Sequence, residues 1–284
     1  MRHIEYKKII EEVKELCVKS AYELPADVLL AITVAAKKES NPLAAKILQQ
    51  LIENARLALE ERIPLCQDTG LAVVFIEQGA DVFIECPADK TAVDAINAGV
   101  TQGYEKGFLR KSVVSEPMQH RKNTGNNCPA VIHWSIVSGD KLKITFMAKG
   151  GGCENKSAFR MFKPTAAQDE ITDWVVDVVK NAGADACPPF VVGVGIGGNF
   201  ELSAVLSKKA LVRSIAQSNA DAFYAGLEKD LLARVNRLGV GPQGLGGDTT
   251  ALAVLIETAP CHIASLPVAV NIECHSHRHG EVVI

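Results

Sequence analysis

The hydrophobic period of this sequence switches from helical to strand-like near Cys66, and that change requires a mixed fold. Before it, residues 3–20, 25–38 and 42–61 carry apolar side chains at three- and four-residue intervals, as in Leu43, Ile47, Leu48, Leu51 and Ile52. That spacing lays one apolar stripe along an α-helix. Asn41-Pro42 supplies an N-cap side chain followed by a proline, whose missing N–H is harmless in a first turn. After Cys66 short β-rich runs take over at 72–76, 82–84, 130–137 and 142–147, with a helix over about 88–106 between them. Gly139-Asp140 reads as a hairpin turn between the last two runs. From about residue 164, helices are expected at 166–182, 200–209 and 217–238, and strands at 189–196, 250–257 and 264–272. The fold class is α+β: a helical N-terminal segment followed by mixed β-sheet elements packed with helices. It is expected as one domain over 1–284, with a helical lobe over about 1–62 and an α/β part over about 63–284.

Charge and hydropathy narrow the function. With 30 basic against 33 acidic residues and a net charge of −3, the chain lacks the basic excess that phosphate-neutralising nucleic-acid binders use. No apolar run reaches the roughly 18 residues that span a bilayer, so no membrane partner is expected. Met1–Lys8 has no apolar stretch behind its charges, as a secretory signal would, so a reducing cytoplasm is the expected compartment. A chain of 284 residues that is 48% hydrophobic buries enough surface to need no disulfide. Its 8 cysteines therefore call for another explanation.

They are Cys17, Cys66, Cys86, Cys128, Cys153, Cys187, Cys261 and Cys274, and no pair has the Cys-x-x-Cys spacing of zinc ribbons and thiol oxidoreductases. Cysteine is often simply a small core hydrophobe. Cys17, on the stripe Ile10, Val13, Leu16, and Cys86, closing Val82-Phe83-Ile84, fit that reading. Cys66 lies between Pro64-Leu65 and Gln67-Asp68-Thr69-Gly70, Cys187 precedes Pro188-Pro189, and Cys274 follows the apolar stretch 266–272. Cysteines at element ends can converge on a metal, and three thiolates can hold an iron–sulfur cluster with one iron left open. Packing remains the competing reading for each.

Three further features have two readings. Gly193-Val194-Gly195-Ile196-Gly197-Gly198 matches the glycine pattern of dinucleotide-binding turns and lies between a strand and a helix, which admits an NAD-binding oxidoreductase. The residues about 20 positions on offer no acidic partner for a ribose, so close backbone packing is the other reading. Lys149-Gly150-Gly151-Gly152 follows a strand, and successive glycine N–H groups there suit a carboxylate or phosphate; a flexible hairpin end is the other reading. His275, His277 and His279 alternate, so an extended strand would align them for zinc with Cys274; a solvated histidine cluster is the alternative.

Pro64-Leu65-Cys66-Gln67-Asp68-Thr69-Gly70 resembles the P-x-C-Q-D-T-G signature of iron–sulfur hydro-lyases, the class I fumarases and L(+)-tartrate dehydratases. Asn123-Thr124-Gly125, Lys149-Gly150-Gly151-Gly152, Ala186-Cys187-Pro188-Pro189 and Gly241-Pro242-Gln243-Gly244 match in the same order, so the similarity runs from about residue 25 onward. The resemblance implies that Cys66, Cys187 and Cys274 carry a [4Fe–4S] cluster, with Cys153 beside the site rather than a ligand and the remaining four cysteines in packing. His262 matches a substrate-contacting histidine, Arg110 a carboxylate-binding arginine, and Gln67 and Asp68 the polar pair beside the first ligand. Lys149 and Gly150, Gly151 and Gly152 match the substrate-binding glycine loop.

Single-chain members of that family fuse this region to a further domain that supplies a threonine base and more substrate-binding Arg and Lys residues. The chain resembles the α subunit of a two-subunit enzyme, and a β subunit, in a heterotetramer, is implied. The implied reaction is reversible hydration of fumarate to L-malate, with L(+)-tartrate as the alternative dicarboxylate. Gly152-Cys153-Glu154-Asn155-Lys156 resembles the fumarase version of its loop. Asp68 and His262 both stand as the group that handles the hydroxyl proton.

Overall fold

The computed structural model describes residues 1–284. The chain begins with β1 (Arg2–Glu5), α1 (Tyr6–Tyr22), α2 (Ala26–Lys38) and α3 (Pro42–Glu61). Then come β2 (Leu71–Gly79), β3 (Val82–Glu85), α4 (Ala92–Lys106), β4 (Val131–Val137), β5 (Leu142–Lys149) and the single turn α5 (Gly151–Glu154). The remainder is β6 (Ala158–Phe162), α6 (Gln168–Ala182), β7 (Phe190–Gly197), α7 (Phe200–Leu211), α8 (Ala222–Asn236), β8 (Ala251–Ala259), β9 (Leu266–Glu273) and β10 (His279–Val283). The mixed α+β class is as the hydrophobic pattern requires.

Two compact units divide these elements. The first comprises Met1–Pro25, Leu57–Gly151 and Arg278–Ile284, the second Ala26–Arg56 and Gly152–His277. In the first, β1 and β3 pair in parallel, and a four-stranded sheet has the order β10-β5-β2-β4. Ile9, Val13, Leu16 and Cys17 of α1 and Ile96, Val100 and Tyr104 of α4 share one core with Val74, Ile76, Ile144 and Phe146 of that sheet. Helix α4 starts at a capping box, in which Thr91 and Asp94 satisfy each other's backbone N–H groups. The second unit holds a sheet of order β6-β9-β7-β8. Val175 and Val179 of α6 and Leu227, Leu231 and Val235 of α8 pack with Val192, Val194, Val254, Ile256 and Val270 of the sheet.

The structure departs from the sequence reading in three places. Gly139-Asp140 does not close a hairpin, because β2 lies between β4 and β5, parallel to the first and antiparallel to the second. The turn passes across the end of β2, where the Gly79 N–H donates to the Lys141 carbonyl and the Asp81 N–H to the Gly139 carbonyl. The three N-terminal helices are divided: α1 lies in the first unit, α2 and most of α3 in the second. Strands β1, β6 and β10, four or five residues each, are additions that no hydrophobic run announced.

The glycine motif at 193–198 is resolved by packing. Gly193 and Gly195 lie inside β7, under α7, where an added Cβ would stand 2.0 Å from the Ser207 carbonyl oxygen and 2.0 Å from that of Ser203. The glycines let helix and strand backbones touch and do not form a phosphate turn. Gly195→Ala therefore forces α7 off the sheet, and urea unfolding of the variant should show a loss of about 1–3 kcal/mol.

Candidate active site

In the first unit the loop that follows Cys66 is held by a carboxylate. Asp68 accepts the Gly70 N–H at 3.0 Å on Oδ1 and the Gly151 N–H at 2.9 Å on Oδ2, so it ties its own loop to the glycine turn after β5. The Arg278 side chain, 1% exposed, donates through Nη1 to the Asp68 carbonyl. A Cβ at Gly150 would lie 3.3 Å from Asp68 Oδ2 and 3.7 Å from Arg278 Nη2, which shows how closely the three approach. The Tyr104 hydroxyl, fully buried, donates to the carbonyls of Thr69 at 2.7 Å and Gly70 at 3.0 Å. Burial pushes the Tyr104 phenol well above its ordinary pKa, so it stays a donor.

The other first-unit residues expected at the site surround this clasp. Cys66 is half-buried, and its thiol donates to Gln67 Oε1 at 3.4 Å. Lys149, 2% exposed, ends β5. Arg110 is exposed, and its carbonyl accepts the Thr69 hydroxyl at 2.7 Å. The glycine turn is not an open anion nest throughout, since the Gly151 N–H is already given to Asp68.

In the second unit Cys187 and Cys274 are adjacent through their backbones: the His275 N–H donates to the Cys187 carbonyl at 3.4 Å. Cys187 is exposed and adopts a left-handed conformation, φ 55° and ψ 66°, after the turn Gly183–Ala186. That conformation is unfavourable for a residue with a Cβ, and functional positions are where such strain is retained. Cys153, 5% exposed, donates its thiol to the Ala186 carbonyl at 3.4 Å. Its sulfur, the Cys274 sulfur and a Glu273 carboxylate oxygen all lie within 4.8 Å of one another. Gly152 is exposed on this unit. His262 is exposed in the turn between β8 and β9, and its Nδ1 accepts the Ala264 N–H at 3.1 Å, which leaves Nε2 to carry the proton of the neutral ring.

Cysteine thiols at element ends, two of them on segments joined by one backbone hydrogen bond, are the soft donors an iron–sulfur cluster takes. The residues present in the second unit fit such a group. Two expectations need correction. His275, His277 and His279 do not line a strand and are not a solvated cluster: His277 is fully buried, and its Nε2–H donates to the Leu211 carbonyl at 2.6 Å. Cys261 is not packed but exposed, its thiol facing the Ser265 carbonyl at 3.3 Å. Arg278, Tyr104 and Glu273 were not singled out from the sequence. The only signal for the first was an arginine four residues beyond Cys274.

Thiol reactivity should follow this placement. Burial pushes the thiols of Cys17 and Cys128 above the ordinary cysteine range, while Cys187 and Cys261 are exposed. Timed labelling of the folded chain freed of metal with a disulfide reagent, read by peptide mass, should modify Cys187 and Cys261 first and Cys17 and Cys128 only on unfolding.

Comparison with known proteins points to one family. The family model described as fumarate hydratase (fumerase) matches residues 10–283. A protein of Methanocaldococcus jannaschii, provisionally named L(+)-tartrate dehydratase subunit alpha, is 41% identical over 276 residues, 96% of each chain. The L(+)-tartrate dehydratase subunit alpha of Escherichia coli O157:H7 is 31% identical over 98% of this chain and 91% of its own, and that of strain K12 30% over the same shares. No helix is long and apolar enough to cross a membrane. The chain belongs to the fumarate hydratase family, among the hydro-lyases of the class I fumarase and tartrate dehydratase α-subunit group.

Proposed function

We propose that the chain is the cluster-bearing α subunit of an enzyme that reversibly hydrates fumarate to L-malate, completed by a β subunit in a heterotetramer. The observation that carries this reading is the junction of Cys187 and Cys274 through the His275 N–H, with both cysteines outside regular elements. Cys66, Cys187 and Cys274 would hold a [4Fe–4S] cluster, which when bound supplies a Lewis-acidic iron for the substrate hydroxyl.

The chain's own groups then have separate tasks. Arg110 is exposed and can take a substrate carboxylate bidentately, with Gln67, Lys149 and the Gly150 and Gly152 backbone as further carboxylate contacts. Both Asp68 oxygens are engaged by backbone N–H groups, so its part is to fix the loop after Cys66. His262, with Nδ1 held as an acceptor, keeps an N–H at Nε2 and is the group we assign to the hydroxyl proton. The weakly acidic carbon proton requires a base, which we assign to the β subunit; the relatives' names, each a "subunit alpha", support such a partner.

A second reading takes L(+)-tartrate as substrate, and the names of the relatives favour it. Tartrate carries one more hydroxyl than malate, and a site built to hydrogen-bond that hydroxyl rejects a substrate without it. The fumarase-like loop Gly152–Lys156 keeps fumarate first. The test is anaerobic reconstitution of the αβ pair with iron and sulfide, followed by product analysis on fumarate, malate and tartrate. Interconversion of fumarate and malate faster than formation of oxaloacetate from tartrate is expected; the reverse order selects the second reading. Cys187→Ala should lose iron, sulfide and brown colour while Cys261→Ala keeps them, and a wild-type pair that retains no iron and sulfide would overturn both readings.

A further inference from the structure

We propose that the outer edge of β4 docks a second copy of this chain, the two strands pairing antiparallel about a twofold axis at Trp134. β4 ends its sheet and is hydrogen-bonded to β2 alone. An edge strand presents unpaired N–H and C=O groups, and proteins guard such edges with charges, prolines or covering groups. The other outer strands of the two four-stranded sheets are guarded. In β8 the Ile256 N–H donates to Glu228, and its carbonyl accepts from Arg213 and Asn219. β6 carries Arg160 and β10 carries Glu281. β4, Val131-Ile132-His133-Trp134-Ser135-Ile136-Val137, has no lysine, arginine, carboxylate or proline.

The order of residues selects the occupant. β4 reads nearly the same in both directions from Trp134, with isoleucine two positions away on either side and valine three. Antiparallel pairing about Trp134 therefore sets Ile132 against Ile136 and Val131 against Val137 of the second copy, with His133 against Ser135. Apolar and β-branched pairs of this kind are what stabilise neighbouring strands, and no like charges meet. Such a contact is isologous, as a twofold dimer requires. Ile132 and Trp134 pack against the core beneath the sheet, and opposite residues of an antiparallel pair share a face. The two cores thus come to lie on the same side of one continuous sheet. The surface is available: Val131 is 38%, Ile136 65% and Val137 40% exposed. Val93 of α4, 44% exposed, lies one turn before Asn97, whose side chain accepts the Ala130 N–H at 2.9 Å, so the helix extends the apolar edge. The pairing rests on this strand and not on the reaction proposed above.

The test is sedimentation of the full-length chain, purified anaerobically, over a range of concentrations. The wild type is expected at the mass of two chains. Val131→Lys combined with Val137→Lys sets like charges opposite each other twice across the axis and should raise the dimer dissociation constant by at least about tenfold. Val131→Lys combined with Val137→Glu sets opposite charges at the same places and should keep the dimer. Circular dichroism checks that both variants fold; if either does not, hydrogen exchange of the wild type decides, with protection of the β4 amides expected to rise with protein concentration. A monomeric wild type, a dimer that survives the double lysine variant, a dimer lost equally in both variants, or β4 amides whose protection ignores concentration overturns the proposal. So does a wild-type chain that is monomeric alone and binds a β subunit that the double lysine variant cannot bind, which would give the edge to that partner.

Discussion

The Asp68 carboxylate is the interaction on which the loop after Cys66 depends. Its two oxygens accept two backbone N–H groups more than 80 residues apart in sequence, those of Gly70 and Gly151. Hydrogen bonds to an ionised acceptor are roughly twice as strong as neutral ones, and a backbone donor has no rotamer freedom to lose. The Tyr104 hydroxyl and the Asn127 side chain both donate to the Gly70 carbonyl, and the Arg278 guanidinium to the Asp68 carbonyl, so the loop after Cys66 is bonded from four directions. A segment with little apolar surface of its own thereby holds one conformation.

The second unit is organised by contact between backbones. The glycines of β7 bring α7 against the sheet, and beyond the end of α7 Arg213 bonds the Ile256 carbonyl, Glu257 and the buried Glu228. Glu228 in turn accepts the Ile256 N–H at 2.8 Å, so a charged network fixes α8 to β8. Breaking one member of such a network costs more than a surface pair would, because the others are left buried without it.

Legibility from the sequence followed the kind of signal. Helices α1, α4 and α6 were readable because an amphipathic stripe is local, but a stripe says only that a face is buried, not against what. Hence α2 and α3 could not be separated from α1 by pattern. Strand order is non-local, so the insertion of β2 between β4 and β5 left no trace at Gly139-Asp140. Cys66 and Cys187 were marked by the prolines and glycine around them, which break regular structure. His277 read as solvated and Arg278 went unnoticed because their burial rests on the carbonyls of Leu211 and Asp68, which hydropathy does not register. The resemblance named Asp68, but only the coordinates show what its oxygens do.

The division of the chain between the units has a consequence for its synthesis. The first unit is interrupted twice, by residues 26–56 and 152–277, and β10, which forms one edge of its sheet, comes after both interruptions. A ribosome releases the first β-strands of that sheet early, yet the sheet and the Arg278 clasp can be completed only once more than 270 residues have emerged. The second unit, by contrast, has all its residues by 277. Folding on the ribosome must therefore leave the half that carries Cys66 and Asp68 open until after the half that carries Cys187 and Cys274 has its full sequence.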